Sequence, residues 1–468
     1  MRYCRTKIVC TLGPSSSSRD ALRSLMEAGL DVARINFSHS THSQHAATIA
    51  LVREVADELG RPVAILGDLQ GPRIRIGDLK SPIDLTDGSD VTFAPEHDSR
   101  DGDIPVTYEM LADDVHVGDR ILINDGLLEL VVLEVQKPRV HARVLHGGTL
   151  TSHKGINLPG VQVSAPSITD KDREDVAFAV EQQLEYVALS FVRRAEDIAE
   201  LRTLIPKQML VVAKIEKDSA LANIEAIVRA SDGVMVARGD LGVELPFEEV
   251  PYAQKRIIAL ANRLGRPVIT ATQMLESMIT HPRPTRAEAS DVANAILDGT
   301  DAVMLSAETA AGQYPRLAVE AMSRIIAEIE GKPQHWQRRE ERRRSDKTVA
   351  TEFAIAAASA AAVEMLGAPV LMVVTKSGFT ARVVASQRPR VPILCLTDSP
   401  RTYRQLSLVW GVVPELVPHC NTYEEMVRLA LEAVQRREIA RPGDRVVVTA
   451  GVPFDMPGTT NLLKVEVV

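Results

Sequence analysis

Eight short apolar, β-branched runs, each followed by a stretch with helical periodicity, constrain this chain more than any other feature. They fall at 7–12, 31–37, 63–68, 186–192, 209–216, 233–240, 267–273 and 301–308. Runs of this kind read as buried parallel strands, because connecting helices cover both faces of the sheet. The helical stretches between them are 19–28, 43–59, 171–184, 195–205, 219–230, 248–264, 287–297 and 315–330, the first with Ser18 as its N-cap. Eight such units over roughly 250 residues, setting aside one interruption after the third, predict a closed (β/α)8 TIM barrel. Periodicity alone leaves a doubly wound open sheet as the alternative.

The interruption has a different texture. Short β-like runs at 90–94, 120–123, 127–135 and 140–144 are separated by Gly, Asp and Pro turns. That spacing predicts a small β-barrel inserted in a barrel loop, over the face where a lid would sit. A charged stretch, 332–347, reads as a solvated helix end or connector. Alternation then resumes, with an Ala-rich helix at 349–366, strands at 369–375, 391–397, 412–417 and 445–449, a helix at 422–437 and a β-like run at 462–468. The expected organisation is a catalytic barrel at 1–69 and 167–335, an inserted β-barrel lid at 70–166, and a C-terminal α/β domain at 346–468. A length of 468 residues calls for two or three cores.

Composition excludes several classes of function. A net charge of -8 gives no electrostatic reason to expect nucleic acid or an anionic membrane surface as partner. No stretch approaches the ~18–20 consecutive apolar residues of a membrane span. Residues 1–10 carry no apolar leader, so no secretory signal is expected. Four cysteines, at 4, 10, 395 and 420, match no metal-site spacing and point to a reducing, cytoplasmic compartment.

In a (β/α)8 barrel the chemistry sits where strands end. Strand two ends in Arg34, Asn36, Ser38 and His39, strand three in Asp68, strand five in Lys214 and Glu216, strand six in Arg238, Gly239 and Asp240, strand seven in Thr272 and Gln273, and strand eight in Ser306 and Glu308. Buried charges need partners. Cations at Arg34, Arg75 and Lys214 converging with carboxylates at Asp68, Glu216, Asp240 and Glu308 suit an anion and a hard metal ion better than a ring of structural ion pairs. Phosphoryl transfer fits, since it is catalysed by positioning and by charge stabilisation. Glu216 and Asp240, ending adjacent strands, supply the one or two carboxylates that Mg²⁺ takes. No P-loop or zinc pattern occurs. Asp125, in Asn-Asp-Gly, reads as a turn residue. In the last domain Thr375, Ser377 and Thr380 lie on a hydroxyl-rich turn that opens a helix, a place suited to an anion.

These residues lie in runs that resemble pyruvate kinases along nearly the whole chain: KIVCTLGP (7–14), ARINFSH (33–39), GDLQGPRIR (67–75), KGINLPG (154–160), AKIE (213–216), MVARGDLGVE (235–244), ATQMLES (271–277) and MLSAET (304–309). The resemblance implies phosphoryl transfer from phosphoenolpyruvate to ADP. Lys214 would lie on the transferring group with Arg34 beside it, and Glu216 and Asp240 would hold Mg²⁺ or Mn²⁺. The amides of Gly239 and Asp240 with the Thr272 hydroxyl would take the substrate carboxylate, and Thr272 lies where the enolate is protonated, through a water chain. Arg75, Asn36, His39 and Pro14 match nucleotide-side positions, and Lys154 would reach the nucleotide phosphates when the lid closes. Thr375, Ser377 and Thr380 would bind the phosphate of an effector, a phosphorylated sugar or AMP, with segment 451–460 setting the choice. A homotetramer is also implied. Many members need K⁺ and carry a Thr-Lys pair after the Asp of the third-strand motif and a Glu after its Gly-Pro. Here those places hold Leu69, Gln70 and Arg73, so K⁺ independence is expected, with the Arg73 guanidinium standing in for the cation. Asn36, Ser38 and Asp68 would form any residual monovalent site. A different phosphoenolpyruvate or pyruvate barrel enzyme, a lyase or mutase, and an inactive metabolite sensor are the competing readings.

Overall fold

The computed structural model describes residues 4–332, 349–420, 422–452 and 459–468. Nearly all of the charged stretch 332–347 and the middle of segment 451–460 therefore lie outside the described residues. The eight expected strands are Lys7–Thr11, Val32–Asn36, Ala64–Asp68, Tyr186–Leu189, Leu210–Ile215, Gly233–Ala237, Val268–Ala271 and Ala302–Leu305. They pair in parallel and close into a barrel in the order one, eight, seven, six, five, four, three, two. The register sets Asn36 beside Asp68 and Lys214 beside Met235, so the polar strand ends gather at one mouth. Local signals fix the surrounding helices. Ser18, Thr41, Thr169 and Thr285 each accept an amide of the first turn, and Gly299, at φ 98°, closes the helix Arg286–Asp298 in a conformation that suits glycine.

Several elements differ from the sequence expectation; strand eight, for one, ends at Leu305, with Glu308 on a short helix, Ala307–Ala310. Strand six stops at Ala237, and Arg238–Glu244 forms a short helix, so Gly239 and Asp240 stand on its first turn rather than at a strand end. An acidic side chain is favourable there, where the positive end of the helix dipole lies. The stretch 219–230 splits into Asp218–Ala222 and Ile224–Ala230 around Asn223, whose side-chain amide donates to the Arg193 carbonyl at 3.0 Å.

The inserted segment holds a seven-stranded sheet whose edge strands are Ile74–Arg75 and Ile104–Val106, and a two-stranded one that pairs Ile83–Leu85 with Gly148–Leu150. A bridge between Ile76 and Val106 joins those edges and wraps the sheet round a core that includes Phe93, Ile121, Leu130 and Val140. The C-terminal segment is a five-stranded sheet, parallel except for the edge strand Leu462–Val467. It packs on the barrel's other end. Leu408 joins Val9, Leu66, Tyr186 and Met304 in the barrel interior. The Ser407 hydroxyl oxygen accepts the Ala64 amide at 3.1 Å, and Arg388 donates to Asp301 at 2.6 Å. That end is thereby plugged, and the open mouth at the strand C-termini is left for chemistry.

Candidate active site

The strand ends at the open mouth converge on one ammonium group. Lys214 Nζ donates to Ser190 Oγ at 2.7 Å and lies 2.9 Å from Glu216 Oε1 and 3.2 Å from Asp68 Oδ1. Arg34 Nε donates to the other Asp68 oxygen at 2.6 Å, and its Nη1 donates to Thr11 Oγ1 at 2.9 Å. Both carboxylates are 1% exposed. Burial pushes Asp68 up, but the Lys214 and Arg34 cations together outweigh it and hold the carboxyl below its ordinary value. Glu216 goes the other way: burial raises it, and the nearby charge of Asp240 adds to that against the pull of Lys214. Lys214 itself is raised, since Asp68, Glu216 and Asp240 outweigh the burial that would lower it. The result is a fixed cation shared between two ionisable carboxylates in a place of low polarisability, where charge acts strongly.

Glu216 and Asp240 fit a hard divalent ion. Both donors are oxygen, they are close enough for one to shift the other's titration, and Glu216 Oε2 is oriented by the Phe191 amide at 2.7 Å. No group of three or more His, Cys, Asp or Glu suited to a metal forms among the described residues. A site for Mg²⁺ needs only one or two carboxylates, the remaining places going to substrate and water.

The structure brings Gly239 and Thr272 together but bonds them to each other: the Gly239 amide donates to Thr272 Oγ1 at 2.7 Å, and that hydroxyl donates to the Ala271 carbonyl at 2.6 Å. Thr272, at φ 67°, and Gln273, at φ 52°, occupy a left-handed backbone region that costs energy, most of all for a β-branched residue. Arg238 holds the strained turn, donating to the Thr272 carbonyl at 2.7 Å and pairing with Asp291 at 2.7 Å.

Between lid and barrel lies a cleft of about 300 Å³ lined by Arg73, Arg75 and Lys154 from the lid side and Phe191, Lys217 and Asp240 from the barrel side. Arg75 Nη1 donates to the His153 carbonyl at 2.9 Å, and burial, with the neighbouring Arg73 charge, lowers the Arg75 pKa. Arg73 is exposed at the lid's outgoing strand. The cleft does not take in the other expected nucleotide-side residues. Pro14 and His39 are exposed, and the Asn36 carboxamide oxygen accepts the Ser38 amide at 3.1 Å.

Glu308 departs from the sequence expectation. Its carboxylate accepts the amides of Leu275 at 3.1 Å and Ser306 at 2.7 Å, so it braces the loops of strands seven and eight. Thr11 and Ser190 were missed. They end strands one and four, and the strand-end rule applied to those two strands finds both.

In the C-terminal segment Thr375, Ser377 and Thr380 do come together, lining one pocket with Lys376 and Asp398. Thr375 Oγ1 accepts the Gly378 amide at 3.0 Å, and Thr380 shares a hydrogen bond with Thr460 at 2.9 Å, so both are buried and partnered within the chain. Gly378, at φ 75°, makes the turn possible.

Comparison with known proteins points one way. Residues 3–319 match the family profile described as pyruvate kinase, barrel domain, and 353–466 that of the pyruvate kinase alpha/beta domain. Among curated relatives, the pyruvate kinase of Geobacillus stearothermophilus is 48% identical over 478 residues, spanning 99% of this chain and 80% of that one. Pyruvate kinase of Agrobacterium vitis is 47% identical over 464 residues, spanning 98% and 96%. A solved pyruvate kinase structure from Cryptosporidium parvum superposes with a TM-score of 0.94 at 37% identity, covering 99% of this chain and 96% of that one.

Proposed function

The chain belongs to the pyruvate kinase family, phosphotransferases that bind phosphoenolpyruvate and ADP or ATP and generally use a divalent metal ion, and on that premise we propose the following roles for its residues. Lys214 neutralises the transferring phosphoryl group, with Arg34 beside it. The single observation that carries this is the Lys214 ammonium held between Asp68 and Glu216 at the open mouth. Glu216 and Asp240 hold Mg²⁺ or Mn²⁺, which when bound supplies positive charge to the substrate oxygens. The Gly239 and Asp240 amides receive the substrate carboxylate, displacing the Thr272 hydroxyl from Gly239. Thr272 passes a proton toward the enolate through water once its hydroxyl turns away from the Ala271 carbonyl. Arg75 and Lys154 take the nucleotide phosphates from the lid side, with Asn36, His39 and Pro14 at the rim. Lid closure removes water and so suppresses simple hydrolysis.

The chain works without K⁺. The departures at Leu69, Gln70 and Arg73 each remove something a monovalent cation uses, and Arg73 carries a permanent charge just before the strand Ile74–Arg75. The oxygens of a residual site at Asn36, Ser38 and Asp68 are partly engaged within the chain, Asp68 by Arg34 and Asn36 by the Ser38 amide. A phosphorylated sugar or AMP, bound at the turn of Thr375, Ser377 and Thr380, activates the enzyme. The working unit is a homotetramer in the cytoplasm, organised as 1–69 with 167–335, 70–166 and 346–468. No disulfide forms among the described cysteines, and no described helix is long and apolar enough to cross a membrane. The test is pyruvate formation in tetramethylammonium buffer, with and without KCl. Activation by K⁺ of about tenfold or more contradicts the reading; that factor equals ~1.4 kcal/mol of transition-state stabilisation.

A further inference from the structure

The lid leaves the barrel after Leu69 and returns just before the helix Asp170–Glu181, and one side chain holds both crossings. Asp172, in the first turn of that helix, is 0% exposed. Its Oδ1 accepts the amide of Gly71, on the outgoing crossing, at 3.0 Å. Its Oδ2 accepts the amide of Thr169 at 2.9 Å and the Thr169 hydroxyl at 2.6 Å, on the return. A reciprocal cap would need only the Thr169 bonds. The bond to Gly71 is additional, and it ties together two chain segments separated by the whole lid.

The point held is packed against the reactive groups. Gly71 has φ 70°, and a Cβ there would come within 2.7 Å of the Phe191 ring and 3.1 Å of Ser190 Cβ, so only glycine fits. Ser190 Oγ donates to the Leu69 carbonyl at 2.7 Å while accepting from Lys214, and the Phe191 amide donates to Glu216. The lid's cations follow closely: Arg73 two residues after Gly71, and Arg75 on the short strand Ile74–Arg75.

We propose that Asp172 is a positioning residue for the nucleotide half of the reaction: it fixes the pivot of the lid, so that Arg75 and Lys154 always close on the same place over Lys214 and Glu216. The proposal rests on the assignment of Arg75 and Lys154 as nucleotide contacts. A buried carboxylate suits the task, since three donors converge on it and amide-to-carboxylate bonds are stronger than neutral ones.

Hydrogen exchange on the unmodified full chain tests the pivot. Pro72 has no amide, so the signal at this point is that of Gly71. Adding phosphoenolpyruvate, ADP and Mg²⁺ should slow exchange in the lid strands Arg120–Ile123 and Gly155–Asn157 and leave Gly71 unchanged. Asp172→Asn keeps the size and one acceptor but releases one of the two strands. It should raise KM for ADP about tenfold, the worth of one buried unsatisfied donor, with KM for phosphoenolpyruvate within about twofold. Thr169→Ala removes the cap hydroxyl while leaving both backbone amides on Asp172, and should move KM for ADP by no more than about twofold. The proposal is overturned if Gly71 exchange follows the lid strands, if Asp172→Asn leaves KM for ADP unchanged, or if Thr169→Ala raises it equally. If Asp172→Asn does not fold, the exchange pattern of the unmodified chain decides. Arg75→Ala gauges the premise separately: no change in KM for ADP there sinks the nucleotide assignment and leaves the pivot standing.

Discussion

Replacing Lys214 with methionine keeps most of the volume of the side chain and removes the ammonium. In the structure that ammonium has Ser190 Oγ at 2.7 Å, Glu216 Oε1 at 2.9 Å and Asp68 Oδ1 at 3.2 Å. Asp68 keeps Arg34, but Glu216 keeps only the Phe191 amide. Breaking a buried charge pair from one side costs roughly 3–5 kcal/mol at neutral pH. The cost should shrink on acidification. In the parent, Asp68 has a depressed pKa, so its contribution is present above its ordinary 3.8 and is lost as pH falls through the folded value. Removing Lys214 takes from Asp68 one of the two cations that hold it down and from Glu216 the cation that opposes its rise, so Glu216 should lie further above its ordinary 4.5, and a raised group contributes stability below that value and loses it as pH rises through the folded one. The Tm difference between parent and Lys214→Met should therefore be largest near neutrality and narrow as pH approaches those values. On catalysis the loss should be about 10³–10⁵-fold in kcat, the worth of a cation placed on a transferring phosphoryl group. The assay is coupled pyruvate release at saturating phosphoenolpyruvate, ADP and Mg²⁺, with phosphoenolpyruvate binding checked separately and expected to remain measurable. A variant that keeps a tenth of the parent kcat refutes the role given to Lys214.

Glu216→Gln removes a charge with little change of shape and should raise the Mg²⁺ concentration required for half-maximal activity by at least about tenfold; an unchanged metal titration contradicts the ligand assignment. Ser377→Asp places a negative charge beside the Thr375 turn and should abolish activation by phosphorylated effectors while sparing basal activity, and full activation of this variant by any such effector would move the site elsewhere. Arg73→Glu should lower activity in potassium-free buffer and create a dependence on K⁺, whereas activity equal to the parent with no K⁺ response would show Arg73 to be a solvent-facing residue without an electrostatic role.

The barrel was legible because its signal is local: apolar runs as long as the strands themselves, and helices with caps such as Ser18 and Thr169. The lid was only half legible. Strands Ile74–Arg75, Ile83–Leu85 and Gly155–Asn157 are two or three residues long, too short to show alternation, and their pairing comes from distant partners. Lys214, Glu216, Asp68 and Arg34 were expected to converge because charges at the ends of buried strands need partners, and the structure brings the four together. Glu308 obeys the same rule for a different reason, since its charge is absorbed by two backbone amides, and a sequence does not distinguish those cases. The Asp240 placement failed locally: a helix of seven residues, Arg238–Glu244, follows the strand directly, with no residue between them to mark the change. Contacts that depend on the full three-dimensional path, such as Leu408 entering the barrel interior or Asp172 meeting Gly71, leave no periodic trace at all.

The most direct test of the account is the product balance of the purified chain given phosphoenolpyruvate, ADP and Mg²⁺. ATP and pyruvate should appear in equal amounts, and neither should form when ADP or the divalent ion is left out. Pyruvate released with inorganic phosphate in the absence of ADP, or phosphoenolpyruvate cleaved or rearranged without any nucleotide, would contradict it.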